Sequence, residues 1–350
     1  MFSTIEKPIL IAGPCSAESE EQLDCITKEL ATTRQVDLLR AGIWKPRTRP
    51  GSFEGVGEIG LNWLAKVGKK YGIPTTTEVA NIKHVEQALK AGIDVLWIGA
   101  RTTVNPFSVQ EIADALQGVK VPVMIKNPIN PDLNLWVGAI ERIRNAGITE
   151  IAAIHRGFSS YEKTKFRNIP KWGIPVELMQ LFPEIPIICD PSHIGGARDL
   201  ISSVSQKALD MNMSGLMIET HHKPDQALSD AKQQITPARL TDILNELVIR
   251  NPNPAKGTDY ILDDLRSKID EIDEDLINNL ARRFEVIDKI GAYKKDNNMT
   301  ILQIERWFEI LSSRKKSGSS KGLRDEFIDE VLKSIHKESV YQQTNILNRD

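Results

Sequence analysis

Residues Leu38-Leu39-Arg40-Ala41-Gly42-Ile43-Trp44-Lys45-Pro46-Arg47-Thr48-Arg49-Pro50 set an apolar strand signal directly against a cationic loop. Pro46 and Pro50 fix their own φ and push Lys45 and Arg49 toward extended backbone, so the cations sit on a stiffened segment rather than on a helix. Arginine offers a planar fork and lysine a point charge, a pairing that suits phosphate and carboxylate groups. In isolation the run reads equally well as a solvated basic loop, and the rest of the chain decides between the two.

The pattern of an apolar strand with a polar end recurs on both sides. Strand signals occur at Pro8–Pro14, Leu38–Ile43, Pro74–Val79, Val95–Ala100, Val121–Lys126, Glu150–Arg156, Pro186–Asp190 and Gly215–Thr220. Between them lie amphipathic helix patterns at Glu21–Thr33, Leu61–Tyr71, Ile82–Ala91, Val109–Leu116, Leu135–Ala146, Val176–Phe182 and Ala197–Met211, and Pro237–Ile249 closes the series. Eight such units in about 250 residues predict an α/β fold of the (β/α)8 type. No glycine-rich nucleotide turn follows the first strand, which argues against an open doubly wound sheet.

Barrel enzymes assemble their sites from the C-terminal ends of the strands. Those ends carry Cys15, Arg40 to Thr48, Glu78, Arg101, Lys126, His155-Arg156, Asp190 to His193 and Glu219, with Asp230 just beyond. Cys15, His193, Glu219 and Asp230 form a sulfur, nitrogen and oxygen donor set suited to a first-row divalent cation. Arg40, Lys45, Arg47, Arg101, Lys126 and Arg156 would repel one another unless the ligands carry several negative charges, as two phosphorylated substrates would. Cys25 and Cys189 fall within a helix and a strand and read as packing residues.

Bulk properties narrow the setting. A chain of 350 residues accommodates one large domain and a smaller one. A net charge of −2 provides no global field for nucleic acid or a membrane surface. Three cysteines argue against a disulfide framework, and no apolar run approaches the ~20 residues of a membrane span. With no secretory leader pattern, a cytoplasmic location is expected. The first strand signal begins at residue 8, so the sequence is expected to hold no separate regulatory domain ahead of the barrel.

Asn251–Gly257 reads as a linker, dividing the chain into a barrel at 1–250 and a helical domain at 258–350. Helices are expected at Thr258–Asp296, Ile301–Leu311 and Leu323–Gln343, with Ser312–Gly322 as a mobile loop. The first helix carries an apolar stripe through Ile261, Leu262, Leu265, Ile269, Ile272, Leu276, Leu280, Phe284, Ile287 and Ile290, which implies a bundle or a dimer; a three-helix unit paired into a homodimer is expected. Arg283 and Lys294 share a face, whereas Arg266 lies about 25 Å from Arg283 at the helical rise. Arg266 would therefore reach a common site only from a partner chain.

Gly13-Pro14-Cys15-Ser16, Lys45-Pro46-Arg47-Thr48, Gly99-Ala100-Arg101, His155-Arg156-Gly157, Asp190-Pro191-Ser192-His193 and the spacing of Glu219 and Asp230 resemble 3-deoxy-D-arabino-heptulosonate 7-phosphate (DAHP) synthases, over about residues 5 to 248. The nearest subgroup is the compact one similar to 3-deoxy-D-manno-octulosonate 8-phosphate synthases. The resemblance implies condensation of phosphoenolpyruvate with erythrose 4-phosphate. It implies that Cys15, His193, Glu219 and Asp230 hold Mn2+, Fe2+, Zn2+ or Co2+, that Arg40, Lys45, Ala100, Arg101, Lys126 and Arg156 bind phosphoenolpyruvate, and that Arg47 and Thr48 bind the sugar phosphate. Lys45 and Glu78 are candidates for proton transfer. Lys126-Asn127-Pro128 departs from the glycine-bearing turn expected after the lysine.

Residues from about 258 to 346 resemble all-helical chorismate mutases, with Arg266, Arg283, Lys294, Arg306, Ser339 and Gln343 matching in order and spacing. The resemblance implies rearrangement of chorismate to prephenate. Arg266, Arg283 and Arg306 would position the carboxylates, Lys294 and Gln343 would contact the ether oxygen, and Ser339 would assist binding. Gln303 and Trp307 stand where that family often has acids, and at Trp307 the departure puts a contact to a substrate hydroxyl in question.

Overall fold

The computed structural model describes residue 2 and residues 8–33, 35–45, 51–161, 164–250 and 259–348, with side chains of the helical region from residue 262 onward. Arg47, Thr48, Thr258 and the linker at 251–257 lie outside the described residues. The chain forms two compact units, Met1–Pro252 and Asn253–Asp350.

In the first unit, β1 (Ile9–Gly13), β2 (Leu38–Arg40), β3 (Thr75–Val79), β4 (Val95–Ile98), β5 (Val123–Lys126), β6 (Ile151–His155), β7 (Ile187–Cys189) and β8 (Gly215–Glu219) pair in sequence order and close into a barrel. All pairings are parallel. Strands covered on both faces read as near-continuous apolar runs, which is why they were legible. Alternate side chains divide between two cores. Ile9, Ile11, Leu38, Val95, Trp97, Met124, Ile154, Ile188 and Met217 fill the barrel, while Leu10, Leu39, Leu96, Ile98, Ile125 and Leu216 pack against the helices.

The surrounding helices are α1 (Glu20–Thr33), α2 (Ile59–Tyr71), α3 (Ile82–Lys90), α4 (Pro106–Ala115), α5 (Leu133–Asn145), α6 (Gly173–Leu181), α7 (Ile201–Asp210) and α8 (Pro237–Glu246). Asn81, Asn105, Asp132 and Thr236 cap four of them by accepting from backbone N–H groups, each worth about 1 kcal/mol. Expected strands and helices differ at their ends. Leu38–Ile43 stops at Arg40, where the chain leaves the sheet to build the site, and Ala197–Met211 begins as a 3-10 turn at Arg198–Leu200 before α7.

The second unit consists of α9 (Asp259–Asp296), α10 (Ile304–Ser319) and α11 (Asp325–Leu347). The loop expected at Ser312–Gly322 is for the most part helix, because α10 runs through to Ser319. At Gly318, inside that helix, a Cβ would stand 2.2 Å from Ile328 Cδ1, so the lack of a side chain serves close packing onto α11. On α9, Leu265, Ile269, Ile272 and Leu276 remain 51 to 59% exposed, an apolar stripe that the described residues of one chain leave uncovered.

Candidate active sites in the two units

At the C-terminal end of the barrel, one ligand atom each of Cys15, Glu219 and Asp230 lies within 4.8 Å of the others. The β1 and β8 register, Gly13 against Glu219, brings the first two together. Gly13 has φ +144°, and a Cβ on it would meet Arg40 O at 2.1 Å, so only glycine lets β1 turn toward Cys15 at this point. Asp230 holds a left-handed backbone, φ 45°, an uncommon conformation for a residue with a side chain and one found at functional sites. Its Oδ2 lies 3.5 Å from Cys15 Sγ.

His193 stands beside this group. It lies on the short turn Pro191–Gly195, whose cap Asp190 accepts from His193 N at 3.0 Å. Asp190 Oδ2 also lies 2.8 Å from His193 Nδ1, which leaves Nε2 facing Glu219 Oε1 at 3.8 Å. Burial lowers the affinity of the imidazole for a proton, so it is neutral and a potential ligand.

The donor set fits a divalent cation. Glu219 is fully buried, and among the described residues its Oε1 has no aligned hydrogen-bond donor, although Arg40 Nη2 is 3.2 Å away. Burial, reinforced by the charge of Glu219, pushes the Cys15 thiol up to about 12. A bound divalent ion would supply the positive charge that converts such a thiol to a ligating thiolate.

Cations surround the cluster. Arg40 is 1% exposed, and its Nε and Nη1 find no partner among the described residues, leaving buried donors for an anion. Its guanidinium lies 5.0 Å above the Trp97 ring, which also lies 5.8 Å from Lys126 Nζ and forms a floor between the cations and the barrel core. Burial opposes the charge on Lys45, but Cys15 and Glu219 outweigh it and hold the ammonium above its usual value. Lys126 donates to Asp190 Oδ2 at 2.9 Å. Arg156 is pulled down to about 10 by burial, with Asp190 opposing and the charges of Arg167 and Arg101 adding.

The departure at Lys126-Asn127-Pro128 has a structural role. Asn127 is fully buried; its amide donates to Pro128 O and Gly157 O, and its Oδ1 accepts from Arg156 N at 2.7 Å. The side chain thus braces Arg156 where a glycine turn was expected. Glu78 accepts from Trp97 Nε1 at 3.0 Å, and with Trp44, Lys45, Glu54, Ala80 and His84 it lines a cavity of about 230 Å³. Ala100 and Arg101 begin the short turn that follows β4.

Sequence reading passed over Arg167, Asn168, Gln233 and Gln234. Asn168 Oδ1 accepts from Arg156 Nη1 at 2.7 Å, and its amide donates to His193 O at 2.6 Å. Gln234 Oε1 accepts from Cys15 N at 2.9 Å. For Arg167 and Asn168 the available signal was loop length, since the segment between β6 and α6 exceeds the ordinary connection of about 2 to 6 residues.

In the helical unit, Arg283 Nη1 donates to Ser339 Oγ at 2.7 Å, and Gln343 Nε2 donates to Ser339 O at 3.1 Å. Gln343 Oε1 is buried with no partner among the described residues. Lys294 is 8% exposed and donates to Ile301 O at 2.5 Å. Arg266 and Arg306 are exposed and pair locally with Asp263 and Glu309. Trp307 stacks on His336 with centroids 3.9 Å apart, an apolar wall on the residue expected to be acidic.

Comparisons with known proteins agree with both units. Residues 5–250 match the DAHP synthetase I family, and residues 265–344 match chorismate mutase type II. The phospho-2-dehydro-3-deoxyheptonate aldolase of Thermotoga maritima is 33% identical over 238 residues, covering 68% of this chain and 68% of the relative. The 2-dehydro-3-deoxyphosphooctonate aldolase of Cupriavidus taiwanensis is 27% identical over 270 residues, covering 69% of this chain and 89% of that protein. The crystal structure of DAHP synthase from Thermotoga maritima aligns with a TM-score of 0.61 at 32% identity, covering 68% of this chain and 67% of that one. A truncated form of the synthase from Thermotoga maritima gives 0.59 at 29%, covering 68% and 84%. The chain belongs to the DAHP synthetase I family and joins a DAHP synthase barrel to a chorismate mutase type II domain.

Proposed function

We propose that the barrel condenses phosphoenolpyruvate with erythrose 4-phosphate to DAHP and phosphate, and that the helical unit rearranges chorismate to prephenate, two reactions of the shikimate pathway. The observation that carries the first half is the Cys15, Glu219 and Asp230 cluster with buried, incompletely paired Arg40 beside it. Cys15, His193, Glu219 and Asp230 would hold a divalent ion, and such an ion supplies Lewis-acid polarisation of the aldehyde.

The remaining work falls to the chain itself. Arg40, Lys45, Lys126 and Arg156 bind the phosphate and carboxylate of phosphoenolpyruvate, with Ala100 and Arg101 at the edge, and orient its C3 toward the aldehyde carbon. A carbon–carbon bond forms there, water adds at C2, and the C2–O bond to phosphate breaks. Lys45 and Glu78 border a cavity large enough for that water, and they carry the proton transfers. Arg47 and Thr48 bind the phosphate of the sugar.

The similarity to octulosonate aldolases supports a second reading of the aldehyde, a longer phosphosugar. Parallel rates with erythrose 4-phosphate and arabinose 5-phosphate decide between them; preference for the five-carbon sugar overturns the first.

In the mutase unit, Arg283, Lys294, Ser339 and Gln343 hold chorismate by its carboxylates and ether oxygen, and a second copy contributes Arg266. The exposed stripe on α9 supports homodimerisation. Prephenate or chorismate bound here is proposed to inhibit the synthase. Synthase rates unchanged by saturating prephenate refute that part. Rearrangement of chorismate, followed by loss of its absorbance, tests the activity itself.

A further inference from the structure

Every residue of the metal-ligating set is held from behind by one of two dipeptides, Arg167-Asn168 or Gln233-Gln234. Arg167 Nη1 lies 3.1 Å from Asp230 Oδ1 and donates to Gln233 Oε1 at 2.6 Å. Gln233, 1% exposed, donates in turn from Nε2 to Glu219 Oε2 at 2.7 Å. Arg167 N donates to Gly195 O at 3.2 Å and Asn168 Nδ2 to His193 O, so the same dipeptide clasps the turn that carries His193. Gln234 fixes the backbone N–H of Cys15.

The arrangement treats the two carboxylates alike. In each, one oxygen is occupied by this network, Asp230 Oδ1 by Arg167 and Glu219 Oε2 by Gln233. The other faces the cluster: Asp230 Oδ2 lies 3.5 Å from Cys15 Sγ, and Glu219 Oε1 lies 3.8 Å from His193 Nε2, with Arg40 Nη2 at 3.2 Å but not aligned as a hydrogen bond. Occupying one oxygen of a carboxylate restricts it to ligation through the other and fixes its angle, the usual work of groups behind a metal's own ligands.

We propose that Arg167 and Gln233 are positioning residues that present Asp230 and Glu219 to a divalent cation, each through a single oxygen. The inference rests on the metal centre argued above. Electrostatics alone predicts the reverse of its main consequence: removing the Arg167 cation would ease the approach of a divalent ion and raise affinity. A loss of affinity on removing it therefore reports positioning.

The experiment titrates Co2+ into the chelator-stripped full chain and follows the sulfur-to-cobalt absorption that Cys15 ligation produces. Arg167→Met and Gln233→Leu are each expected to weaken Co2+ binding about ten- to a hundredfold, the range typical of such partners, and to shift the absorption band. Arg167→Lys, which keeps the charge without the fork, is expected to fall between Arg167→Met and the parent chain. Gln233 is buried, so its variant is scored only beside an unchanged metal-free melting temperature; Arg167 is half-exposed and its variant tests the proposal whatever Gln233→Leu does. Co2+ affinity of Arg167→Met equal to or above that of the parent overturns the proposal. A parent chain that shows no thiolate absorption overturns the metal centre and the proposal with it.

Discussion

Lys45 Nζ stands 3.0 Å from Cys15 Sγ and 2.9 Å from the Cys15 carbonyl oxygen, tying the loop after β2 to the end of β1. One ammonium thus joins the group proposed to hold the metal to the basic loop proposed to bind phosphoenolpyruvate. Lys45→Met, similar in length but uncharged, is expected to lower synthase kcat/KM by about 10²-fold or more. Steady-state kinetics on the purified variant checks it, with the mutase rate as an internal standard for folded protein. A loss under threefold contradicts the role.

Gly99 leaves room for Glu78. A Cβ at this position would stand 2.0 Å from Glu78 Oε1, while Trp97 holds the other carboxylate oxygen. Gly99→Ala is expected to displace the carboxylate, lowering synthase turnover about tenfold and stability by ~1–3 kcal/mol. Urea unfolding alongside kinetics separates the two effects, and a fully active variant would remove Glu78 from the mechanism.

The barrel was legible because parallel strands buried on both faces leave apolar runs, and because each run ends on a polar residue such as Glu78, Lys126 or Glu219. The groups behind those ends were not. Arg167 and Gln233 lie in polar loops whose composition is ordinary, and their importance arises from contacts with Asp230 and Glu219 at sequence distances that no local pattern encodes. The loop expected at Ser312–Gly322 failed for a related reason: its serine, lysine and glycine composition suits a loop, but Gly318 serves close helix packing instead. Asn127 is a third case, since a side chain that bonds two carbonyls does the bracing assigned to a turn.

His155 sets an acid limit on the barrel. Enclosed by Trp136, Phe158 and Trp172, it is pushed down to about 3 by burial, with the charge of Arg156 adding. An unfolded chain takes up this proton near 6.5, so between those values the unfolded state binds more protons. The contribution is complete above pH 6.5 and is lost as pH falls toward 3. His155→Phe, which keeps the ring contacts, is expected to flatten the dependence of unfolding free energy on pH by up to ~1.4 kcal/mol per unit within that window. An unchanged slope contradicts the assignment.

The exposed stripe of α9 predicts that mutase activity depends on association. Ile272→Asp combined with Leu276→Asp is expected to give a monomer in sedimentation velocity and to reduce chorismate turnover at least tenfold, because Arg266 would no longer reach the site. A dimer that persists, or a monomer with full mutase activity, contradicts the shared site.

If the barrel is a synthase whose metal is held by Cys15, its turnover depends on both the ion and the thiol. The deciding measurement follows DAHP formation from phosphoenolpyruvate and erythrose 4-phosphate before chelation, after chelation, and after return of Mn2+, in the parent chain and in Cys15→Ala. The expected result is activity that chelation abolishes and Mn2+ restores in the parent alone, with mutase activity unchanged throughout. Synthase activity that survives chelation, or that Cys15→Ala retains in full, would contradict it.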